Sequence, residues 1–134
     1  MVDQRFPWAR LAAVAGGTVA ALILHALVGL GWITSAGLRF DAGGASIAYS
    51  TDVSGLTEEM IDLFAGVDVW IVDALRRRPH PSHASLSETL SWIGLVQPKR
   101  AILTHMDQSM DYRQLLSELP AGVEPGYDGL EVML

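Results

Sequence analysis

Residues 47–56 have the sequence IAYSTDVSGL, a β-prone run that ends in a single carboxylate and a turn. The first five residues favour a strand, and the Ser54-Gly55 pair favours a chain reversal. Asp52 is therefore predicted at the carboxyl end of a strand. Because ligands bind at that end of the strands in open α/β sheets, this stretch indicates both the fold and the place of a site.

Two later stretches are predicted to converge on Asp52. Residues 77–83 have the sequence RRPHPSH and carry His80 and His83, and residues 103–106 have the sequence LTHM and carry His105. Hard oxygen donors and borderline nitrogen donors together suit zinc, manganese or iron. A carboxylate and imidazoles from separate strand ends therefore predict half of a metal-dependent hydrolase site.

The composition limits the classes of function. The chain has 134 residues, 50% of them hydrophobic, and a formal charge of −6. This length allows one domain with a real core, and the apolar content argues against disorder. The negative charge argues against general nucleic-acid binding, because a phosphate backbone attracts positive charge. Cysteine is absent from the sequence, so any metal must use His, Asp, Glu or water.

An apolar segment from Leu11 to Ile33 contains 23 residues without a charge. As a helix it would reach about 34 Å, enough to cross the apolar layer of a bilayer. With Arg5 and Arg10 on its N-terminal side, it is typical of a signal anchor with a cytoplasmic N-terminus. A cleaved signal peptide would have a shorter apolar region, and a buried helix in water would be weakened by the glycines. The remaining interpretation is a start that is not native to the domain.

Downstream of Ile33 the pattern alternates between strand and helix signals. Gly37–Phe40 and Ala45–Thr51 are predicted to form a hairpin. Helices are predicted to begin after an N-cap at Thr57 and after Ser85, whose spacing to Glu88 fits a capping box. The other predicted elements are the buried strand Val67–Ala74, the strand Arg100–Thr104, the helix Asp111–Leu119 and the strand Leu130–Leu134.

The side chains that could carry chemistry are Asp52, Asp73, His80, His83 and His105. Each alone also fits an ordinary turn or surface role, and the shared sheet edge is what favours Asp52 and His105 as metal ligands. His80 and His83 lie in a loop stiffened by proline, where a histidine can give a proton to a leaving oxygen. In the same loop, Arg76–Arg78 either attract an anionic substrate or form a solvated basic turn.

An ordered series of motifs occupies residues 33–40, 48–53, 73–76, 79–83, 99–106 and 123–130. This series resembles the C-terminal half of a metallo-β-lactamase-fold hydrolase, and the closest branch is the phosphoribosyl cyclic phosphodiesterase type. The resemblance implies an αββα sandwich with a two-metal site, often zinc or manganese, that hydrolyses phosphodiesters. It assigns Asp52 as the carboxylate that bridges both metals, His105 as the last histidine ligand of the second metal, and His83 as the catalytic histidine.

One expected part of such enzymes is missing from the sequence. They carry a His-x-His-x-Asp-His cluster upstream of the position that Asp52 matches, and this chain has only His25 there. We therefore predict an α/β chain that forms about half of an αββα sandwich, with residues 1–32 as an apolar helical segment and residues 33–134 as the half-domain. Its metal site would be incomplete, and the chain would be a truncated phosphodiesterase that is inactive alone.

Two alternatives belong to other functional classes. In one, the chain is a non-enzymatic α/β interaction module anchored in a membrane through Leu11–Ile33, and in the other it complements a separate N-terminal half. The hydrolase hypothesis predicts a small phosphodiester as partner and a cytoplasmic location, whereas the anchor predicts the membrane. A half-sandwich would also expose one face of its sheet, which predicts self-association.

Overall fold

The structure, a computed structural model, describes residues 37–134. The apolar helix predicted over Leu11–Ile33, with the membrane anchor or non-native start inferred from it, lies outside these residues. None of the helices that the structure does describe has the length and apolar character needed to cross a bilayer.

A hairpin begins this part of the chain. Strands β1 (Leu38–Ala42) and β2 (Ala45–Ser50) pair in antiparallel fashion. The turn between them contains Gly43 and Gly44, which both have positive φ, as a two-residue hairpin turn of this kind requires. The predicted hairpin is confirmed, with its first strand beginning one residue later and ending two residues later than predicted.

Three further strands extend the hairpin into one sheet. They are β3 (Val69–Asp73), β4 (Arg100–Thr104) and β5 (Val123–Pro125), and the sheet order is β1-β2-β3-β4-β5. Strands β2 to β5 run parallel to one another. The carboxyl ends of β2, β3 and β4 therefore lie at one edge of the sheet, which is the edge predicted for the site.

Three helices connect the parallel strands: α1 (Glu58–Phe64), α2 (Leu86–Val96) and α3 (Tyr112–Glu118). The Thr57 side chain caps α1 by accepting a hydrogen bond from the Met60 amide. Ser85 and Glu88 form the predicted capping box at the start of α2. Both predicted N-termini are thus confirmed, because local capping chemistry determines them.

The core lies between the three described helices and one face of the sheet. Trp70 and Val72 of β3 are fully buried there together with Phe64 of α1, Leu115 of α3 and Val96 of α2. The rings of Phe64 and Trp70 are 5.8 Å apart in a tilted arrangement, and the Trp70 indole donates a hydrogen bond to the Ser50 hydroxyl. This packing holds β2 and β3 against α1 and so fixes two of the strands that end at the predicted site.

The opposite face of the sheet, which we call the outer face, is also apolar. Strand register places the following side chains on it: Leu38, Phe40, Ile47, Tyr49, Ile71 and Ile102. Residues 127–134 pass over its β3–β4 part, where Leu130 and Val132 line a groove together with two of these isoleucines. Over β1 and β2 the face is open, since Phe40 is 58% and Tyr49 42% exposed.

The last predicted strand is wrong. Leu130–Leu134 has no regular structure, and the strand in this region is Val123–Pro125 instead. The reason is that β5 pairs with β4 through Ala101 to Leu103, whereas residues 130–134 lie over the outer face rather than beside a strand edge.

Candidate metal centre

The candidate residues lie where three neighbouring strands end. Asp52 follows β2 by two residues, Asp73 is the last residue of β3, and His105 directly follows β4. Because Asp73 is in register with Thr104, the ends of β3 and β4 are level. Asp52, Asp73 and His105 are therefore brought to one rim by the parallel order of the strands.

Both predicted metal ligands have a left-handed backbone. The φ angle is 56° at Asp52 and 60° at His105. Side chains other than glycine adopt this conformation at a cost, and such residues concentrate at functional sites. At both positions the chain turns sharply as it leaves its strand. The Asp52 side chain is largely exposed, at 62%, and the His105 side chain is partly exposed, at 36%.

The two predicted ligands are close together. The Nδ1 atom of His105 lies 3.5 Å from Oδ1 of Asp52, and Nδ1 of His83 lies 3.7 Å from the same oxygen. Each of the three residues offers one ligand atom, and these atoms lie within 4.8 Å of one another. The predicted convergence is confirmed as geometry, while the metal and catalytic roles of these residues stay predictions.

Backbone hydrogen bonds close the loop that carries His80 and His83. The Leu75 amide donates to the Ala84 carbonyl at 3.0 Å, and the Leu86 amide donates to the Arg76 carbonyl at 2.9 Å. The Asp107 amide donates to the Leu75 carbonyl at 2.8 Å, which ties this loop to the segment after His105. The histidines are therefore held at the rim by main-chain contacts.

His80 is the outermost member of a row of imidazoles. Its ring centroid is 5.0 Å from that of His83, which in turn is 4.8 Å from that of His105. The Ser82 amide donates to Nδ1 of His80 at 3.3 Å. Desolvation lowers the pKa of His80 below its ordinary value, and the nearby charge of Arg76 acts in the same direction.

Asp73 is fully buried beneath the cluster. Its Oδ2 atom accepts a hydrogen bond from the Val53 amide at 3.1 Å and lies 3.2 Å from Nδ1 of His83. Its Oδ1 atom has no hydrogen-bond partner among the described residues. Burial raises the pKa of Asp73, and the hydrogen bond with His83 opposes that rise. Our sequence reasoning gave this carboxyl no definite role.

The basic residues of the loop are largely engaged within the protein. The guanidinium of Arg76 donates to the carbonyls of Arg78 and Pro79, and Arg77 forms an ion pair with Glu118 at 2.7 Å. Two of the three arginines proposed to attract an anionic substrate therefore stabilise the loop and its contact with α3.

The donor set fits one divalent metal ion. Catalytic zinc sites use three protein ligands and keep one position open, and a carboxylate with two imidazoles is a common set for such ions. Asp52, His83 and His105 supply these donors. Within residues 37–134 they are the one group of this kind, so the described chain does not supply the ligands for the two ions that the resemblance implies.

Comparison with known proteins agrees with this fold. A family model described as the Beta-lactamase superfamily domain matches residues 5–106. The chain belongs to this superfamily, and its sheet with helices on one face is part of a metallo-β-lactamase fold.

Solved structures show the same fold. A new diphosphatase from the PhnP family is 26% identical, with a TM-score of 0.65 over 75% of this chain and 43% of that protein. The Zn(2+)-bound PqqB from Methylobacterium extorquens is 18% identical, with a TM-score of 0.61 over 73% of this chain and 43% of that protein. The second likeness shows the fold alone.

Curated relatives are matched over a smaller share of their length. An uncharacterized protein of Mycobacterium bovis is 34% identical over 92 residues, which are 65% of this chain and 33% of that protein. An octanoyltransferase of Porphyromonas gingivalis is 28% identical over 90 residues, which are 66% of this chain and 18% of that protein. The matched region thus spans a third or less of these relatives.

Sequence reasoning missed two relations within the site. It assigned His83 to catalysis only, whereas the structure also places a ring nitrogen of His83 within reach of a metal held by Asp52 and His105. It also missed the contact between Asp73 and His83. The signal for Asp73 was its place at the end of β3, but nothing in the sequence showed how the following loop would fold back over it.

Proposed function

We propose that this centre serves metal-dependent hydrolysis of a phosphodiester. The observation that carries the proposal is the meeting of one carboxylate and two imidazoles, from Asp52, His83 and His105, at the carboxyl edge of a parallel sheet. The likeness to a protein described as a diphosphatase, at 26% identity, supports a phosphate ester as the substrate class.

Within this proposal, Asp52 and His105 hold the ion and His83 acts on the leaving group. A divalent ion such as zinc or manganese supplies a Lewis acid and lowers the pKa of water. The contact of His83 with the buried Asp73 orients the imidazole, as the carboxylate does in other histidine-based sites. His83 then gives its proton to the leaving oxygen, and His80 is the second candidate for that transfer.

The number of ligands predicts weak binding by this chain alone. If His83 is reserved for the leaving group, the described residues supply two protein ligands, Asp52 and His105, fewer than the three that catalytic zinc sites use. We therefore expect the 134-residue chain to bind zinc or manganese weakly and to hydrolyse substrate slowly.

Calorimetric titration with Zn²⁺ and with Mn²⁺ tests the ligands. Asp52→Ala and His105→Ala should each weaken binding at least tenfold, because each removes a donor. The matched control is Asp62→Ala, which removes an exposed carboxylate of α1 and should leave binding unchanged. Equal affinities in all four proteins, or no binding to wild type at millimolar metal, would contradict the proposal.

Hydrolysis of two phosphodiesters tests His83. With an aryl diester the leaving group departs without a proton, so His83→Gln should lower kcat less than it does with an alkyl diester, for which general acid catalysis contributes about 10²–10⁴-fold. Zn²⁺ affinity should persist in His83→Gln. If the affinity falls as far as in His105→Ala, His83 is a metal ligand instead of the proton donor.

A further inference from the structure

The buried carboxyl of Asp73 contacts both halves of the candidate centre through one atom. Oδ2 receives the Val53 amide at 3.1 Å and lies 3.2 Å from Nδ1 of His83. Val53 directly follows Asp52, so the first contact holds the turn that presents this ligand. The second contact holds His83, another member of the cluster.

Hydrogen-bond chemistry determines which atoms carry the protons. An ionised Asp73 carboxylate can only accept hydrogen bonds, so the proton between its Oδ2 and His83 then belongs to Nδ1 of the ring. The neutral imidazole then keeps its lone pair on Nε2. In this arrangement Asp73 selects the ring atom that His83 can offer to a metal ion or to a substrate.

Among the described residues, few other hydrogen bonds hold the turn at Asp52. The side chain is 62% exposed, the backbone is left-handed, and residues 51–57 contain neither helix nor strand. Val53, in contrast, is fully buried, and its amide is paired with Asp73. The Asp73 carboxyl thus accepts the hydrogen bond that the Val53 amide would otherwise donate to a backbone carbonyl of a neighbouring strand.

Asp73 is itself anchored on its main chain. The Thr89 hydroxyl, buried in α2, donates to the Asp73 carbonyl at 2.6 Å, and the Ala74 amide donates to the Thr104 carbonyl at 3.0 Å. These bonds connect the residue to α2 and to β4. A carboxyl held in this way can transmit a fixed geometry to its two partners.

We propose that Asp73 is the positioning residue of the centre. One carboxylate oxygen sets the Asp52 turn and the His83 ring relative to each other before any metal or substrate binds. Its Oδ1 atom, which has no hydrogen-bond partner among residues 37–134, leaves one buried acceptor unused, as is typical of a residue retained for function more than for stability.

Nitrogen NMR of the labelled full chain tests this role without metal. At pH 8, where histidine is ordinarily neutral, the His83 ring of wild type should carry its proton on Nδ1, and the Val53 amide should exchange slowly. Asp73→Leu removes both acceptors, so the ring should shift toward the Nε2–H form and Val53 should exchange at least tenfold faster. Asp73→Asn keeps an oxygen and should restore both signals.

The control is Asp68→Asn, at the opposite end of β3, which should leave the His83 tautomer and the Val53 exchange rate unchanged. An Nε2–H ring in wild type, or signals that do not differ between wild type and Asp73→Leu, would overturn the proposal. If Asp73→Leu does not fold, wild type and Asp73→Asn decide: a fast-exchanging Val53 amide or an Nε2–H ring in either one contradicts it.

Because the role of Asp73 in metal binding rests on the function proposed above, Zn²⁺ titration is a separate readout. Loss of an outer partner typically weakens metal affinity about 10–100-fold, and we expect a loss of that size in Asp73→Leu and a smaller one in Asp73→Asn. Failure of wild type to bind zinc would end the proposed function but leave the NMR result to judge Asp73. Equal zinc affinity in wild type and Asp73→Leu would overturn the positioning role while the function stands.

Discussion

We expect the Asp52 side chain to serve metal binding without stabilising the fold. The left-handed backbone at φ 56° is strained for any residue with a Cβ, and the carboxylate is largely exposed. Asp52→Gly relieves that strain but makes the unfolded chain more flexible, so the free energy of unfolding should stay unchanged or rise by up to about 1 kcal/mol. Urea denaturation measures this change, and Zn²⁺ titration should show that binding is lost.

Ser54→Gly is the matched control in the same turn. Ser54 is exposed and does not have a positive φ, so glycine gains nothing there and should lower stability by about 0.4–1 kcal/mol. If Asp52→Gly proves as destabilising as Ser54→Gly, the aspartate contributes to folding and the separation of roles is wrong.

Asp68 contributes an ionisation that is far from the candidate centre. The hydrogen bonds from Lys99 and from Ser46 hold the pKa of Asp68 at about 2, below its ordinary value of 3.8. Because the pKa of Asp68 is lower in the folded state, its ionised carboxylate stabilises the fold. This stabilisation is fully present above pH 3.8 and is lost as the pH falls from 3.8 toward 2.

Asp68→Asn should therefore lower the urea midpoint at pH 6, and the difference from wild type should shrink as the pH falls from 4 to 2. Measurements at pH 6, 4, 3 and 2 check this. A difference that stays constant over the whole series would show that the charge of Asp68 does not stabilise the fold.

Among the elements, α2 depends on its first turn. The Ser85 amide and hydroxyl both donate to the Glu88 carboxylate, at 2.8 and 2.5 Å, and the Glu88 amide returns a bond to the hydroxyl. Ser85→Ala removes the cap and should cost about 0.5–2 kcal/mol in the free energy of unfolding, measured in urea. Ser91→Ala, on the exposed side of the same helix, should be neutral within about 0.5 kcal/mol.

Elements with local chemical signals were predictable from the sequence, and the others were not. Thr57 and Ser85 mark the starts of α1 and α2 because capping is decided within four residues. The three-residue strand β5 has no such signal, since its pairing with β4 depends on long-range packing. Leu130–Leu134 was predicted as a strand from its hydrophobic residues. Such residues show only that a segment contacts an apolar surface, not that it pairs with a strand.

The same distinction applies to the site. Asp52 and His105 could be placed together because parallel strands align their carboxyl ends, a rule that needs no side-chain detail. The position of His83 depends on a loop closed by the Leu75–Ala84 and Arg76–Leu86 hydrogen bonds. No residue pattern encodes that closure, so the contact of His83 with Asp73 emerged only from the structure.

At the scale of the whole molecule, the described chain has one apolar sheet face covered by helices and another that is partly open. On the outer face Leu38, Phe40 and Tyr49 are 36%, 58% and 42% exposed, and register places them side by side across β1 and β2. Contiguous apolar surface of this kind favours association. Among the described strands, β1 lies at an edge of the sheet, and edge strands are prone to pair with other chains.

We therefore predict that the chain self-associates and that Phe40→Lys weakens this association at least tenfold, because a charge at the centre of the patch must be desolvated for two faces to meet. Sedimentation velocity over a hundredfold range of concentration measures the effect. Leu95→Lys is the control, since Leu95 is 61% exposed on α2 and should leave association unchanged. A wild-type chain that stays monomeric throughout, or equal association in the two variants, would show that the outer face does not self-associate.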